Sequence, residues 1–246
     1  MNIFFKSKDV LIIAHRGASS IAPENTLQAF QKAIELGADI IEFDVRKTLD
    51  DKIVISHDNS LIRITGKLGS IRSMTLEQLR ELDFGAGEKI PTLEELIKLT
   101  KRKIGLNCEV KVRGIEQELV DIFRDADLLD SIIISSFKND VLNKIQKIEP
   151  KVRLAALNPN KYGWISSWIS RKKMIKKAKY NRFYAINPIH FLINKKFIGK
   201  AHQSNLKVFP WTVNSESRME ELVRLGVDGI ITNDIQMLKN YLMQIK

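Results

Sequence analysis

The sequence predicts a (β/α)8 barrel, the TIM-barrel fold, and three observations support this prediction. Short aliphatic segments alternate with helical patterns along almost the whole chain of 246 residues, as parallel strands linked by helices require. If the adjacent segments "DIIEFDV" and "DKIVISHD" share one position, about eight such units are present, which matches this barrel in number and size. The GxGxxG loop of dinucleotide-binding open sheets is absent after the first strand, which disfavours that alternative.

The composition indicates a soluble globular protein, with 44% hydrophobic and 28% charged residues. No run of about 18 apolar residues occurs, and the apolar run near the N-terminus has the wrong length and flanks for a signal peptide. Cys108 is the one cysteine, which excludes an internal disulfide and agrees with a reducing compartment. We therefore expect a single cytoplasmic domain over residues 1–246.

The first half of the chain opens with the strand "DVLIIA", followed by the helical pattern "TLQAFQKAIELG", which ends at Gly37. The neighbouring strands "DIIEFDV" and "DKIVISHD" come next. Two helices begin at "TLEQLRELD" and "TLEELIKLT", where Thr is followed three residues later by Gln78 or Glu95, the capping-box pattern. Residues from about 59 to 91 are predicted as a short insertion after the second strand.

The second half continues the alternation. Its strand and helix patterns are "IGLNCEV" and "IEQELVDIFRDADL", then "SIIISSF" and "NDVLNKIQKI". After these come "VRLAAL" with a basic helix near 164–179, and "FYAINP" with a helix near 191–204. The last units are "KVFPWTV" with a helix near 216–225, and "VDGIIT" with a helix near 234–245.

The positive charge is concentrated in one part of the chain. The formal net charge is +11, and residues 150–215 contain 14 Lys or Arg and no Asp or Glu. Such a basic sector attracts anions, among them phosphodiesters, anionic lipid headgroups and nucleic acid, without selecting one of them.

Ionisable side chains gather where the predicted strands end, which is where catalytic groups lie in this fold. They are two imidazoles, one guanidinium, one ammonium and three carboxylates: His15, His57, Arg16, Lys111, Glu42, Asp44 and Glu109. Glu42 and Asp44 are two residues apart on a strand, so both carboxylates face the same side. Because buried anions are costly unless neutralised, we expect a metal ion beside them, with a salt bridge to Arg16 or Lys111 as the alternative.

This set of side chains suits phosphoryl chemistry. Three oxygen ligands without cysteine favour Mg²⁺, Ca²⁺ or Mn²⁺ over zinc. Such a cation beside Arg16 and Lys111 would stabilise negative charge on a phosphoryl oxygen, and two histidines can serve as general base and general acid. A lone strand-end histidine is more often structural, but the joint occurrence of these groups favours a catalytic site. Gly17 is expected to let the backbone approach a ligand closely.

The chain resembles the glycerophosphodiester phosphodiesterase family. The resemblance rests on these motifs, in chain order: "HRG" at 15–17, "PENT" at 23–26, "EFDV" at 42–45, "HD" at 57–58, "IPTLEEL" from 90, "EVK" at 109–111, "SSF" at 135–137, "WTVN" at 211–214 and "DGIITN" from 228. It implies a TIM barrel that hydrolyses glycerophosphodiesters to sn-glycerol 3-phosphate and an alcohol. The implied cofactor is one divalent cation, Mg²⁺ or Ca²⁺, with Mn²⁺ also open.

The resemblance also implies roles for individual residues. His15 and His57 become the acid–base pair; Glu42, Asp44 and Glu109 the metal ligands; and Arg16 and Lys111 the phosphate-binding groups. Trp211 is expected to line the substrate pocket, with barrel packing as the alternative, and Glu24 and Asn25 to support the site or cap a helix. Attack by the neighbouring glycerol hydroxyl through a cyclic phosphate and direct attack by water both stay open.

The segment "WISSWISRKKMIKKAK" at 164–179 combines tryptophans with a cluster of cations. This pattern is typical of a helix that lies on an anionic membrane, although an ordinary barrel helix with solvated lysines also fits. Membrane contact would add lysophospholipids to the candidate substrates, by a lysophospholipase D type of hydrolysis. A non-catalytic module that binds phosphate or anionic lipid is a further alternative, whereas nucleic acid is not expected because three converging acids repel a polyanion.

Overall fold

The computed structural model describes residues 10–158 and 167–245, without the side chains of residues 167–170. The strands are β1 (Leu11–His15), β2 (Ile40–Lys47), β3 (Ile53–Ile55), β4 (Gly105–Val110), β5 (Ile132–Ser136), β6 (Arg153–Asn158), β7 (Ala185–Pro188), β8 (Lys207–Val208) and β9 (Gly229–Thr232). The α-helices are α1 (Leu27–Leu36), α2 (Ile62–Thr65), α3 (Leu76–Arg80), α4 (Leu93–Thr100), α5 (Glu116–Asp125), α6 (Asn139–Ile148), α7 (Ser167–Tyr180), α8 (Lys195–His202), α9 (Glu216–Leu225) and α10 (Ile235–Gln244).

Eight parallel strands form a nearly closed barrel in the order β8, β7, β6, β5, β4, β2, β1, β9, which confirms the predicted fold. Strand β3 pairs antiparallel with β2 and lies off the barrel, so "DIIEFDV" and "DKIVISHD" do occupy one position. Between β8 and β9, the backbone N–H of Asp228 donates to Val208 O at 3.1 Å and that of Ile231 to Pro210 O at 2.9 Å. Strand β8 is shorter than the "KVFPWTV" pattern, and Pro210 has no N–H to continue the ladder.

The barrel interior is apolar at one end and polar at the other. A cluster of eight buried residues fills its lower part: Leu11, Ile13, Ile40, Ile133, Ala155, Ala185, Phe209 and Ile231. Because side chains alternate along a strand, the next inward positions after Ile13 and Ile40 are His15 and Glu42. The strand period therefore carries the apolar core directly into the site at the carboxyl ends of the strands.

The capping residues that the sequence predicts are found at the ends of several helices. Thr26 caps α1 by accepting from Ala29 N–H, and Gly37 ends that helix in the left-handed conformation. Both predicted capping boxes are present, at Thr75 of α3 and at Thr92 of α4. The helix predicted from 191 instead begins at Lys195, because the Asn194 side chain caps it there.

The insertion predicted at about 59–91 lies between β3 and α4 and has its own apolar cluster. It contains α2, a 3₁₀ turn at Ile71–Ser73 and α3. The buried residues of the cluster are Val54, Leu61, Ile71, Leu79, Phe84 and Ile90. This packing holds the residues that follow β3 beside the carboxyl ends of the barrel strands.

Candidate active site

The side chains singled out in the sequence come together at the carboxyl ends of the strands. A cavity of about 970 Å³ opens there, and the predicted site residues that line it are His15, Arg16, Glu42, His57, Glu109, Lys111 and Trp211. The strand register sets His15 beside Glu42 and Asp44 beside Glu109. The assembly of the site therefore follows from the pairing of β1, β2 and β4.

Three carboxylates form the most buried part of this site. Glu42, Asp44 and Glu109 are 5%, 1% and 6% exposed. Each offers an oxygen that lies within 4.8 Å of the others, and no second group of this kind occurs among residues 10–158 and 167–245. Carboxylate oxygens converging in this way are the donor set that hard divalent cations prefer.

Two cations of the protein neutralise part of this negative charge. Lys111 Nζ lies 2.9 Å from Asp44 Oδ1 and also contacts Glu109, while Arg16 Nε lies 3.4 Å from Asp44 Oδ2. The Asn25 side-chain amide donates to Asp44 Oδ2 at 2.9 Å. Burial alone would raise the pKa of Asp44, but the Lys111 and Arg16 cations outweigh it and hold that pKa well below its usual range.

The other two carboxylates remain under-neutralised. Burial raises the pKa of Glu42 well above its usual value, and the charges of Asp44 and Glu109 raise it further. Burial and the Asp44 charge likewise raise the pKa of Glu109 to about 7. The pKa values of Glu42 and Glu109 stay raised although Lys111, Arg16 and Arg46 lie near, so these residues fit a divalent cation.

The His-Arg-Gly step after β1 turns sharply against helix α1. Arg16 has a positive φ of 57°, and its backbone N–H donates to Glu42 Oε2 at 3.0 Å. Gly17 follows with φ +82°, and a Cβ at that position would lie 2.7 Å from the carbonyl carbon of Ala29. The close approach that requires this glycine is thus made to Ala29 of α1, whereas the sequence led us to expect an approach to a ligand.

Replacing Gly17 with alanine should destabilise the protein and lower its activity. The left-handed conformation alone costs about 1–3 kcal/mol for a residue with a side chain, and the contact with Ala29 adds to this. Gly87 provides the matched control, since it has the same φ of +82° but no atom within 4 Å of a built Cβ. Urea unfolding should therefore show a larger loss for Gly17→Ala than for Gly87→Ala; equal losses would contradict the packing argument.

His15 lies at the end of β1 with one ring nitrogen already engaged. Its Nδ1 is 2.6 Å from Asn233 Oδ1, an acceptor, which leaves Nε2 unprotonated and able to accept a proton. Burial, reinforced by the Arg16 cation, lowers the pKa of His15 to about 4. At neutral pH the ring is uncharged, as a general base must be.

His57 is paired with a carboxylate. Its Nδ1 lies 2.8 Å from Asp58 Oδ1, and Arg63 from the insertion holds Asp58 in turn. Arg63 also donates to Glu24 at 2.6 Å, and Glu24 accepts from Arg16 at 3.0 Å, so these charges form one chain. Burial, with the Lys111 and Arg16 cations, lowers the pKa of His57 below its usual value, although Asp44 and the Asp58 hydrogen bond offset part of this effect. The Asp58 partner favours a protonated imidazole more than the neutral Asn233 partner of His15 does.

Trp211 both lines the cavity and packs on the barrel. Its ring N–H donates to the backbone oxygen of Asn187 at 2.7 Å. Phe137 meets it edge to face at 5.6 Å between ring centroids, and Lys111 Nζ lies 5.9 Å from the Phe137 centroid. The two interpretations of Trp211 from sequence therefore do not exclude each other.

Several residues of the site carry no role in the sequence analysis. Arg63 lies in the insertion, where no periodic pattern relates it to a strand end. Asn233 and Phe137 fall inside motifs of the resemblance, "DGIITN" and "SSF", which could have marked them. Glu24 and Asn25 support Arg16 and Asp44, as one of the two expectations had it, while Thr26 caps the helix.

The basic helix α7 is described only in part. Trp164 lies outside the described residues, as does the side chain of Trp168. Met174, Ile175 and Ala178 are buried, and the exposed lysines lie between them. The apolar side of the described part of α7 thus faces the barrel. Over residues 10–158 and 167–245, the helices lack the combined length and apolarity that a membrane crossing demands.

Comparison with known proteins gives a consistent result. A sequence profile described as "Glycerophosphoryl diester phosphodiesterase family" matches residues 15–237. The chain is 37% identical over 243 residues to a glycerophosphodiester phosphodiesterase of Caldanaerobacter subterraneus subsp. tengcongensis, covering 94% of this chain and 96% of the relative.

Solved structures agree in fold. A glycerophosphodiester phosphodiesterase from Thermotoga maritima superposes with a TM-score of 0.80 at 28% identity, covering 98% of this chain and 100% of the other. A phosphodiesterase from Oleispira antarctica, in complex with the product sn-glycerol-3-phosphate, has a TM-score of 0.81 at 26% identity and covers 95% and 96% of the two chains.

Proposed function

Because the chain belongs to the glycerophosphoryl diester phosphodiesterase family, we propose that this enzyme hydrolyses glycerophosphodiesters to sn-glycerol 3-phosphate and an alcohol, using one divalent cation and the His15/His57 pair. One observation carries the proposal: two histidines, two cations and the three-carboxylate group line or adjoin a single cavity. The bound product in the Oleispira antarctica enzyme supports the same substrate class.

Glu42, Asp44 and Glu109 would hold the cation, which would be Mg²⁺ or Ca²⁺, with Mn²⁺ as a further candidate. When bound there, it would offset negative charge growing on the phosphoryl oxygens. Arg16 and Lys111 would orient the phosphate from the side of Asp44 and add positive charge that water screens only weakly, because both side chains are largely buried. Both side chains bind Asp44, which fixes their positions in the site.

We assign the proton transfers from the hydrogen-bond partners of the two imidazoles. His15 is uncharged and would take the proton from the attacking hydroxyl, either of the glycerol or of water. His57 would donate a proton to the departing alcohol, since Asp58 stabilises its protonated form. In the second step of a cyclic-phosphate route the two roles would be exchanged.

The bond that is cleaved identifies the reaction. Glycerophosphocholine incubated with the enzyme and Mg²⁺, Ca²⁺ or Mn²⁺ should yield sn-glycerol 3-phosphate and choline. The phosphate product is detected by ³¹P NMR, and the choline by an enzymatic assay. A transient cyclic phosphate signal would identify attack by the glycerol hydroxyl. Release of phosphocholine, or no cleavage with any of the three cations, would refute the proposal.

Lysophospholipids are a second candidate substrate class, favoured by the cavity mouth. Phe191 lines the cavity and is 71% exposed, and Arg171 of α7 lines it as well. An apolar side chain at the mouth beside a basic helix suits a substrate with an acyl chain. The same assay with lysophosphatidylcholine tests this candidate, since choline release would support it and its absence would exclude it.

Membrane contact through residues 164–179 predicts salt-sensitive binding to anionic vesicles. At low salt, the protein should cosediment with phosphatidylglycerol vesicles more than with phosphatidylcholine vesicles. Changing Lys173, Lys176 and Lys177 to Gln should reduce this binding. Changing three exposed lysines at the end of α4 and just after it, at 98, 101 and 103, should leave this binding unchanged. Equal loss in both triple variants would indicate a net-charge effect and contradict a specific contact.

A further inference from the structure

The cavity is lined by three cationic side chains that have no part in the proposed chemistry. These three additional cations are Arg46, Lys138 and Arg171. They come from separate elements, since Arg46 lies on β2, Lys138 follows β5 and Arg171 belongs to α7. All three are partly buried, so salt and water screen their charges less than those of the exposed lysines.

The acidic side chains of the site already have other partners. Asp58 binds Arg63, and Asp44 binds the two cations that would orient the phosphate. The other two carboxylates, Glu42 and Glu109, belong to the proposed cation site. Within the described part of the chain, no acidic side chain forms a salt bridge with any of the three additional cations, so their charges are available to a ligand.

Arg46 lies beside the residue that would protonate the departing alcohol. It follows Glu42 and Asp44 at the two-residue period of β2, so its side chain shares their face. Its Nε donates to the backbone oxygen of His57 at 2.9 Å. Because His57 is assigned to protonate the departing alcohol, Arg46 adjoins the alcohol half of a bound diester.

Lys138 and Arg171 extend this positive region. Lys138 Nζ donates to the backbone oxygen of Lys111. Burial, together with the charges of Arg113 and Arg46, lowers the pKa of Lys138, which shows that cations crowd this wall of the cavity. The Nε of Arg171 is buried without a hydrogen-bond partner among the described residues. An anionic group of the ligand would relieve the repulsion and supply the missing partner.

We propose that the three additional cations select diesters whose alcohol half carries a second anionic group, a carboxylate or a phosphate, an inference that rests on the proposed function. The diester phosphate has a single negative charge and is already served by Arg16 and Lys111. A second anion would take charge-assisted hydrogen bonds from the remaining guanidinium and ammonium groups. An alcohol half with a positive charge, such as choline, would be repelled, and its diester would be cleaved with a lower kcat/KM.

The test compares two pairs of diesters that differ by one anionic group. Glycerophosphoserine differs from glycerophosphoethanolamine by a carboxylate. The second pair is the ethylene glycol diester of glycerol 3-phosphate with and without a terminal phosphate. Release of sn-glycerol 3-phosphate, with each of the three divalent cations in excess, gives kcat/KM for each compound. Wild type should favour the anionic member of at least one pair by about tenfold or more, the effect of one hydrogen bond to a charged group. The pair with the larger ratio identifies the preferred anion.

Three variants replace one cation each by a neutral amide that can still donate a hydrogen bond. Arg46→Gln and Lys138→Gln should each lower the ratio within the preferred pair by about threefold or more, and Arg171→Gln by about twofold or more. Lys138→Glu, which reverses the charge, should remove the preference altogether. Because the ratio compares two substrates of one enzyme preparation, a general loss of activity cancels from it.

Lys103→Gln is the matched control, because Lys103 is exposed just before β4, at the opposite end of that strand from the cavity. It should keep the full ratio, and a loss as large as in Lys138→Gln would overturn the proposal in favour of a net-charge effect. Equal kcat/KM values within both pairs in wild type, or a ratio that persists in all three glutamine variants, would overturn it as well. In these cases, release of sn-glycerol 3-phosphate leaves the proposed function intact. No release from any of the four diesters overturns the proposed function and the charge selection together.

Discussion

His15→Ala should lower kcat for glycerophosphocholine about 10²–10⁴-fold, the usual contribution of a general acid or base. The variant loses an imidazole whose pKa of about 4 keeps it uncharged at neutral pH, and Asn233 cannot substitute for its Nε2. His57→Ala should have an effect of similar size. Both losses should appear in kcat with KM little changed, because neither ring is assigned to phosphate binding.

A change of leaving group separates the two roles. Choline leaves poorly without a proton, whereas p-nitrophenolate needs none. The substrate for this test is the p-nitrophenyl ester of glycerol 3-phosphate, and the measurement is the rate at which nitrophenolate is first released. With this ester, His57→Ala should regain most of the rate that it loses with glycerophosphocholine, and His15→Ala should not. Recovery in His15→Ala alone would exchange the assignments, and recovery in neither would contradict acid catalysis by these residues.

His202→Ala controls for the loss of a histidine as such. His202 ends α8, away from the cavity, and its ring bonds to Asp228 at 2.9 Å. Its replacement should leave kcat within about twofold on either ester, as expected for a surface substitution away from the reaction. A comparable loss in this variant would point to instability instead of chemistry.

Glu42→Gln and Glu109→Gln should abolish cation-dependent activity and, in chelator, raise the melting temperature. Both carboxyls are buried among like charges, and burial together with Asp44 raises the pKa of each. Above these pKa values the folded protein holds repelling anions, which a neutral amide removes. For Glu109→Gln, the gain should be present at pH 8 and fade as the pH falls below about 7, where Glu109 is protonated in the wild type.

Thermal unfolding measures binding of the cation independently of activity. At a cation concentration 100-fold above Kd, the free energy of unfolding of the wild type should increase by about 2.7 kcal/mol. This corresponds to a rise in melting temperature of roughly 5–10 °C for a chain of this size. The two variants should show little or no rise. Glu35→Gln, an exposed change on α1, should respond like wild type; a full rise in Glu42→Gln would contradict the assigned ligands.

Much of the fold was predictable because its determinants are local and periodic. The alternation of strands and helices, the capping boxes at Thr75 and Thr92 and the Gly37 terminus all depend on residues close in sequence. The early end of β8 was missed because "KVFPWTV" is mostly apolar, but Pro210, which has no N–H for the ladder, is a signal in the sequence that could have marked it.

The candidate site was predictable to the extent that parallel strands bring their carboxyl ends together. This rule places His15, Glu42, Asp44 and Glu109 side by side without knowledge of any loop. The rule fails for Arg63, which reaches Asp58 and Glu24 only because the insertion folds back over the strand ends. It also cannot say that Gly17 packs on Ala29, since that contact depends on the angle at which α1 leaves the turn.

The most direct test of the account is the release of sn-glycerol 3-phosphate from glycerophosphocholine before and after removal of divalent cations. We predict release by the protein with Mg²⁺, Ca²⁺ or Mn²⁺, its loss in excess EDTA, and its recovery when the cation is returned, with no recovery in Glu42→Gln. Release that continues unchanged in EDTA would contradict the assignment of Glu42, Asp44 and Glu109 as the cation site.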